Sequence, residues 1–420
     1  MPEATRRTLR QIRSGLSVTA LLCSGAGSVG AEYTVREITV VAGGVASVAG
    51  INSTGTAAIN LFGPDRAATW SGSINGFLEP VGSDHVSAAT AINTAGIVVG
   101  YSTNGPESSA IRWNAPGGTG IELPSFGIRA GLARDINSAG DIVGEQVVGQ
   151  SFGDALQRAV LWPASGGVIN LGTLSGSGAA GDFSFATAIN DRGDIAGVST
   201  GDTGTRAFFR PAGAASAMID IGTLGAVFAE AADLNDFGEV VGNSRVTGGS
   251  VDLPYRWNRS TGLMVSLGTL RGVGAFAAST NNRGQVVGYD RINGAGTSDR
   301  AFLVNPGGSI RDLNALIPSG SGWVLQRATG INNAGTIVGV GWLNGQPRAF
   351  VLIPEPGAPV PACFADVNRD GSVNTSDLTS LLGEFGDSVA PGGGTDVNGD
   401  GTINTADLVV VLSGFGLHFA

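Results

Sequence analysis

Short apolar runs alternate with polar turns along most of this chain, and one turn recurs. Its core reads apolar residue, Asn, two variable residues, Gly, an apolar pair, then a second Gly. The copies centre on Asn52, Asn93, Asn137, Asn190, Asn235, Asn281 and Asn332. Gly55, Gly96, Gly140, Gly193, Gly238, Gly284 and Gly335 follow three residues later. Four further on stand Gly100, Gly144, Gly197, Gly242, Gly288 and Gly339, with Ile59 in that place in the first copy. Seven copies, 41 to 53 residues apart, mean a repeat architecture. Asn tolerates left-handed backbone angles and Gly takes them freely, so each copy predicts a β-hairpin.

A third strand is expected at 66–70, 109–113, 158–162, 206–210, 253–257, 300–304 and 348–352. A fourth is expected at 168–174, 218–224, 264–270 and 310–316. Four strands in about 45 residues are the size of one propeller blade. The seventh copy lacks a fourth strand, but an orphan strand at 33–40 precedes the first copy. Pairing those two would close a ring and leave no sheet edge at the seam. The expected fold is mainly β: a seven-bladed β-propeller over 32–352, closed by the N-terminal strand. A parallel β-solenoid competes, but leaves the orphan strand without a purpose.

After residue 352 the pattern changes. Pro354, Pro356, Pro359 and Pro361 mark a linker over 353–362, and a small all-α module is expected over 363–420. Two twelve-residue loops there carry side-chain oxygens at positions 1, 3, 5, 9 and 12. The first set is Asp366, Asn368, Asp370, Asn374 and Asp377; the second is Asp396, Asn398, Asp400, Asn404 and Asp407. Gly371 and Gly401 stand at position 6, and Ser372 and Thr402 offer a backbone carbonyl at position 7. That is the ligand spacing of a calcium loop, and its repetition predicts two calcium ions. Leu378, Leu381, Leu382 and Phe385 match Leu408, Val411, Leu412 and Phe415 at helical spacing, so two helices are expected to pack face to face.

Composition fits many tight turns between apolar strands: 69 of 420 residues are Gly and only 14% are charged. All 24 basic residues are Arg. Residues 1–31 read as a secretory signal, with Arg6, Arg7, Arg10 and Arg13, a short apolar run, and Val29-Gly30-Ala31 before the cut. The mature chain then carries 20 basic against 33 acidic residues. That balance, with no basic stripe, argues against nucleic acid. Cys363 is the single cysteine left after Cys23 departs, so no intrachain disulfide is expected. No later run is long enough to span a bilayer.

Catalytic signatures are sparse. His85 and His418 lie near no nucleophile motif, so a His-based triad is not expected. Asp154, Asp202, Asp252 and Asp299 read as solvated loop acids. Arg66, Arg158, Arg206, Arg300 and Arg348 share one slot at the start of the third strand. They could ring an anion, although pairing with backbone or carboxylate is the favoured reading. Trp70, Trp113, Trp162 and Trp257 share another slot and are expected to pack between blades rather than stack on sugar.

Residues 363 to about 416, through both loops and both helices, resemble a dockerin, with Asp377 and Asp407 at position 12. The resemblance implies a cohesin-type protein partner, faced by Thr375, Ser376, Thr405 and Ala406 at positions 10 and 11. Residues 33–352 resemble the extracellular repeat family named for its His-Ala-Phe (HAF) tripeptide, with Arg206-Ala-Phe208, Arg300-Ala-Phe302 and Arg348-Ala-Phe350 at that place. That family brings a fold and export but no activity. The expectation is a secreted, non-catalytic binding or scaffold protein, docked through calcium, with a carbohydrate as one ligand to consider. The alternative is a carbohydrate-active enzyme, a glycoside hydrolase carried by the propeller, since dockerins commonly accompany polysaccharide-degrading domains.

Overall fold

The computed structural model describes residues 31–416 apart from 40–45, 64, 106, 115–116, 127–130, 149–155, 177–180, 214–215, 250, 292–298, 356–361, 369–371, 390–394 and 399–400. The expected signal segment, up to residue 30, and most of the expected linker lie outside the described residues.

Every repeat turns in the same way. The Asn N–H donates to the carbonyl four residues on, as from Asn52 to Thr56 at 3.0 Å. Its Oδ1 accepts from the N–H of that same residue, as from Ile97 to Asn93 at 3.0 Å. The first Gly of each turn takes φ between 66° and 87°, where a side chain would be strained. The second Gly lies against the first strand: a Cβ on Gly100 would stand 1.9 Å from the Ala88 carbonyl oxygen. Opposite it, each first strand carries an extra residue, a bulge that sharpens its twist.

The strands form a β-propeller-like arrangement of five separate four-stranded sheets and one sheet of eight. The pattern predicts seven separate blades; five stand alone. The fourth and fifth repeats merge because the ten-residue strand Gly225–Leu234 runs back to the strand Gly204–Arg210. The two meet in parallel at Thr205 and Phe228. Gly204 permits this approach, since a Cβ there would lie 2.6 Å from the Val227 carbonyl oxygen.

The fourth strands are shorter than expected, for example Ile219–Asp220 and Met264–Ser266. Gly172, Gly222 and Gly268 end them with φ of 78°, 82° and 79°. The next leucine then docks on the following blade or repeat: Leu174 N–H donates to Ser199 Oγ, Leu224 to Ser244 Oγ, and Leu270 to Asp290 Oδ2. Arg311–Asp312 continues as a short 3-10 turn, Leu313–Ala315, in place of the longer strand.

At the seam, Tyr33–Glu37 pairs antiparallel with the last long strand, Gln346–Pro354. Glu32 meets Arg311 at 2.6 Å and Glu37 meets Arg348 at 2.9 Å across it. The core lies between neighbouring sheets. Ala58, Ala67 and Leu78 of one repeat, for instance, pack on Ile92, Val98, Ile111 and Trp113 of the next.

The C-terminal module has two helices, α1 (Thr375–Gly383) and α2 (Thr405–Ser413). Asn374 and Asn404 cap them, with Asp377 and Asp407 closing each capping box. Phe364, Val373, Leu381, Val397, Ile403 and Val411 form a separate small core. The halves are stitched by backbone: Ile403 N–H donates to Asp387, Gly386 to Ile403, and Gly416 to Val373.

Candidate metal centre

In each loop of the C-terminal module, the position-12 carboxylate ties both ends of the loop together. Asp377 Oδ1 accepts from Asn368 N–H at 3.1 Å and its Oδ2 from Asn374 N–H at 2.8 Å. Asp407 repeats this with Asn398 N–H at 3.0 Å and Asn404 N–H at 3.0 Å, and adds Val397 N–H at 2.8 Å. Both carboxylates are 0% exposed. Asp366 and Asp396 at position 1 are also buried, and Asp396 Oδ2 accepts from Gly401 N–H at 2.8 Å. Backbone amides orient these groups without cancelling their charge. From Cys363 onward the sequence holds eight acids and one Arg.

Burying four carboxylates in so small a module is costly, and a bound cation offsets that cost. The donor set, all hard oxygen, fits calcium. Asp366, Asp377, Asp396 and Asp407 would hold the ions, with Asn368 and Asn398 at position 3. Asp370 and Asp400 lie outside the described residues. Among the described residues, no three acidic, His or Cys side chains gather in a metal-binding group. Asn374 and Asn404 are committed to their helices, since each Oδ1 accepts from the N–H two residues on. Their Nδ2 groups donate to the carbonyls of Ser372 and Thr402, both at 3.2 Å. A position-9 contact through water suits that arrangement.

Thr375, Ser376, Thr405 and Ala406 are exposed on the first turns of α1 and α2. The helix faces differ from expectation. Leu381 and Val411 are buried, but Leu382 and Phe385 remain 53% and 43% exposed, and Leu412 and Phe415 51% and 46%. The face-to-face packing is therefore narrower than the apolar stripes. Val373 and Ile403, from the loops themselves, fill the space between the helices.

Residues 364–413 match the family model of the dockerin type I domain. The match stops there, so it gives no support to the HAF-type resemblance of the repeats. No curated protein matches the chain. Solved structures similar to it include TolB from Acinetobacter baumannii, 13% identical, with a TM-score of 0.41. That likeness covers 62% of this chain and 64% of the other, so the chain spans just under two thirds of that protein's length. An oligogalacturonate lyase from Vibrio parahaemolyticus is 9% identical with a TM-score of 0.48, covering 77% and 94% of the two chains. A second oligogalacturonate lyase, in complex with manganese, is 10% identical with a TM-score of 0.47, covering 79% and 98%. Likeness at this level carries no argument about function.

The propeller slots resolve differently from the dockerin loops. Arg66 pairs with Glu79, Arg206 with Asp220 at 3.4 Å, Arg300 with Asp312 at 4.0 Å and Arg348 with Glu37 at 2.9 Å. Arg158 donates to the carbonyls of Gln157 and Asp182. Four of these arginines serve their own blades, and Arg158 reaches the backbone that leads into the next one. Trp70, Trp113, Trp162 and Trp257 are all buried, and Trp113 Nε1 donates to the Glu79 carbonyl of the preceding repeat. Asp202 is exposed, Asp252 pairs with Arg245, and Asp154 lies outside the described residues. Asp299 is not solvated as expected; it is fully buried in an ion pair with Arg327 at 2.6 Å.

Sequence reasoning treated the repeated asparagines as turn residues only. Each also donates through Nδ2 to the main-chain carbonyl of the next repeat's asparagine. The circuit runs 52 to 93, 137, 190, 235, 281, 332 and back to 52, with every link between 2.9 and 3.2 Å. The equal phase of the seven motifs was the available signal. Beneath the circuit, Asp135 and Asp233 each reach into the next repeat, to Ile189 N–H and to Thr280 N–H, both at 2.8 Å. Burial, and then the Asp233 charge, push the Asp135 carboxyl up to about 7. Burial pushes Asp233 up to about 6.

Proposed function

We propose that this chain is a secreted, non-catalytic binding or scaffold protein, delivered to a cohesin-type partner by its dockerin module. The observation that carries this reading is the duplicated surface of that module. Each half sets an exposed apolar pair, Leu382 with Phe385 or Leu412 with Phe415, on the last turn of the helix that begins with the exposed position-10 and position-11 residues and on the turn just after it. Exposed large apolar groups in register, twice, suit a protein partner. The near-identity of the halves allows either one to face it.

Calcium sets the shape of that surface, because the ions sit where the loops launch the helices. Asp366, Asn368, Asp370, Ser372, Asn374 and Asp377 are assigned to the first ion. Asp396, Asn398, Asp400, Thr402, Asn404 and Asp407 are assigned to the second. The division of the chain is 1–31 signal, 32–352 propeller, 353–362 linker and 363–420 dockerin module. The propeller is read as seven repeat units, supported by the seven-membered asparagine circuit, with two units sharing one sheet. Among the described residues no helix is long and apolar enough to cross a membrane.

The test is capture of the mature chain on immobilised type I cohesin domains, in calcium and in chelator. Binding in calcium that is lost in chelator supports docking. Binding to none, under conditions where calcium is bound, leaves the module a structural cap and sinks the proposal. The second reading, a glycoside hydrolase, would need two carboxylates facing one bound sugar. Asp135 and Asp233, the raised pair, spend their oxygens on strand backbone instead.

A further inference from the structure

The chain leaves the propeller beside the turns of the sixth and seventh repeats. A Cβ on Gly335, in the seventh turn, would stand 3.5 Å from Gln285 Oε1 of the sixth and 3.5 Å from Pro354 Cγ at the end of the last strand. Glu355 is still pinned to the seam: its N–H donates to the Glu32 carbonyl at 2.9 Å, and its Oε1 accepts from Thr34 Oγ1. The dockerin module begins with the 3-10 turn Ala362–Ala365. Even fully extended, the connection from Glu355 to Ala362 spans about 25 Å. The module is therefore tethered close to the propeller end that carries the asparagine circuit.

A side chain of that end meets the module. Arg283, two residues after Asn281 in the sixth turn, sets its guanidinium 5.4 Å from the centre of the Phe364 ring. Its Nε and Nη2 are buried. Arg192 holds the same place in the fourth turn and stays exposed, so the turn itself does not bury an arginine there. Phe364 is 8% exposed and belongs to the core of the module, two residues ahead of Asp366. The ring quadrupole attracts a cation over its face, and more strongly as water is excluded. A guanidinium brings a charge that does not titrate in the working range of a protein.

We infer that Arg283 and Phe364 form a latch that holds the dockerin module at one angle on the turn end of the propeller. The two cores stay separate, and the latch joins them through a single pair of side chains. Phe364 is placed by the module's own core, so the latch needs a folded module. A docked chain then carries its propeller in a fixed orientation, with the end opposite the asparagine circuit directed away from the module. Without the latch the propeller swings on its linker. The inference rests on the docking proposal for that consequence only, because the latch itself needs no cohesin.

The test is a pulsed electron spin resonance distance measurement on the full mature chain in calcium, in a Cys363→Ser background. Spin labels go on Ala95→Cys, in the second turn, and on Ser380→Cys, in α1, both at exposed positions. One narrow distance distribution is expected. Arg283→Ala and Arg283→Gln should each at least double its width, while Arg192→Ala leaves it unchanged. The turn accepts alanine at that place, since Ala95, Ala139 and Ala334 occupy it in other repeats. Circular dichroism and melting curves confirm that each variant folds. A broad distribution in the parent chain overturns the inference, and so does a narrow one that survives both Arg283 variants. Equal broadening by Arg192→Ala overturns it as well, because the effect would then not belong to the latch. Cohesin capture is measured separately, so docking and latch can fail independently.

Discussion

Each circuit asparagine does two jobs with one side chain. Its Oδ1 holds its own turn while its Nδ2 holds the neighbouring repeat, so removal costs both contacts at once. Asn93→Ala strips the donor from the Asn137 carbonyl and the acceptor from Ile97 N–H. Leaving buried groups unpaired predicts a loss of about 2–3 kcal/mol in chemical denaturation. Asn332→Ala, at the seam, should cost about the same, because its link back to Asn52 has the same geometry. A seam variant that proved harmless would show that the circuit does not close the ring. Gly100→Ala is expected to be as damaging, at about 3 kcal/mol, since its Cβ has no room beside the Ala88 carbonyl. Asp135 adds a pH dependence. Its folded pKa of about 7 lies above the ordinary 3.8, so the folded state holds a proton that the unfolded chain has released. Its stabilising share is full below about pH 4 and is lost as pH rises through 7. Asp135→Asn should flatten the fall in melting temperature between pH 5 and pH 8; an unchanged slope would place the titration elsewhere.

The elements show why some features were legible and others were not. The Asn-x-x-Gly hairpins follow from local chemistry, since positive φ and a short polar side chain are demands of two or three residues. The closing strand was legible because a fourth strand was missing at one end and an extra one stood at the other. The merger of the fourth and fifth repeats was not, because it rests on the parallel contact of Thr205 with Phe228, which no periodicity signals. The early end of the fourth strands was readable in principle from Gly172, Gly222 and Gly268, but apolar neighbours on both sides masked the break. The dockerin helices followed the same logic. Spacing showed an apolar stripe but not its width, because Val373 and Ile403 in the loops compete for the space between the helices. Leu382→Asp with Leu412→Asp should therefore leave the module folded, with unchanged helicity, yet weaken cohesin capture at least tenfold. Loss of helicity would mean that these leucines belong to the core.

On the scale of the whole molecule, the propeller and the dockerin module have separate cores and separate closures. The first closes by strand exchange at the seam and by the asparagine circuit. The second closes by cross-stitching of its two loops, and its buried carboxylates need cations. Chelation is accordingly expected to melt the helices while the β-sheet signal persists to its normal melting temperature. A joint transition would contradict independent units. The most direct measurement is native mass spectrometry of the mature chain, titrated with calcium. Two ions should bind, falling to one in Asp377→Ala and to one in Asp407→Ala. An unchanged count in both variants, or no calcium bound at all, would contradict a docking module organised by these two loops.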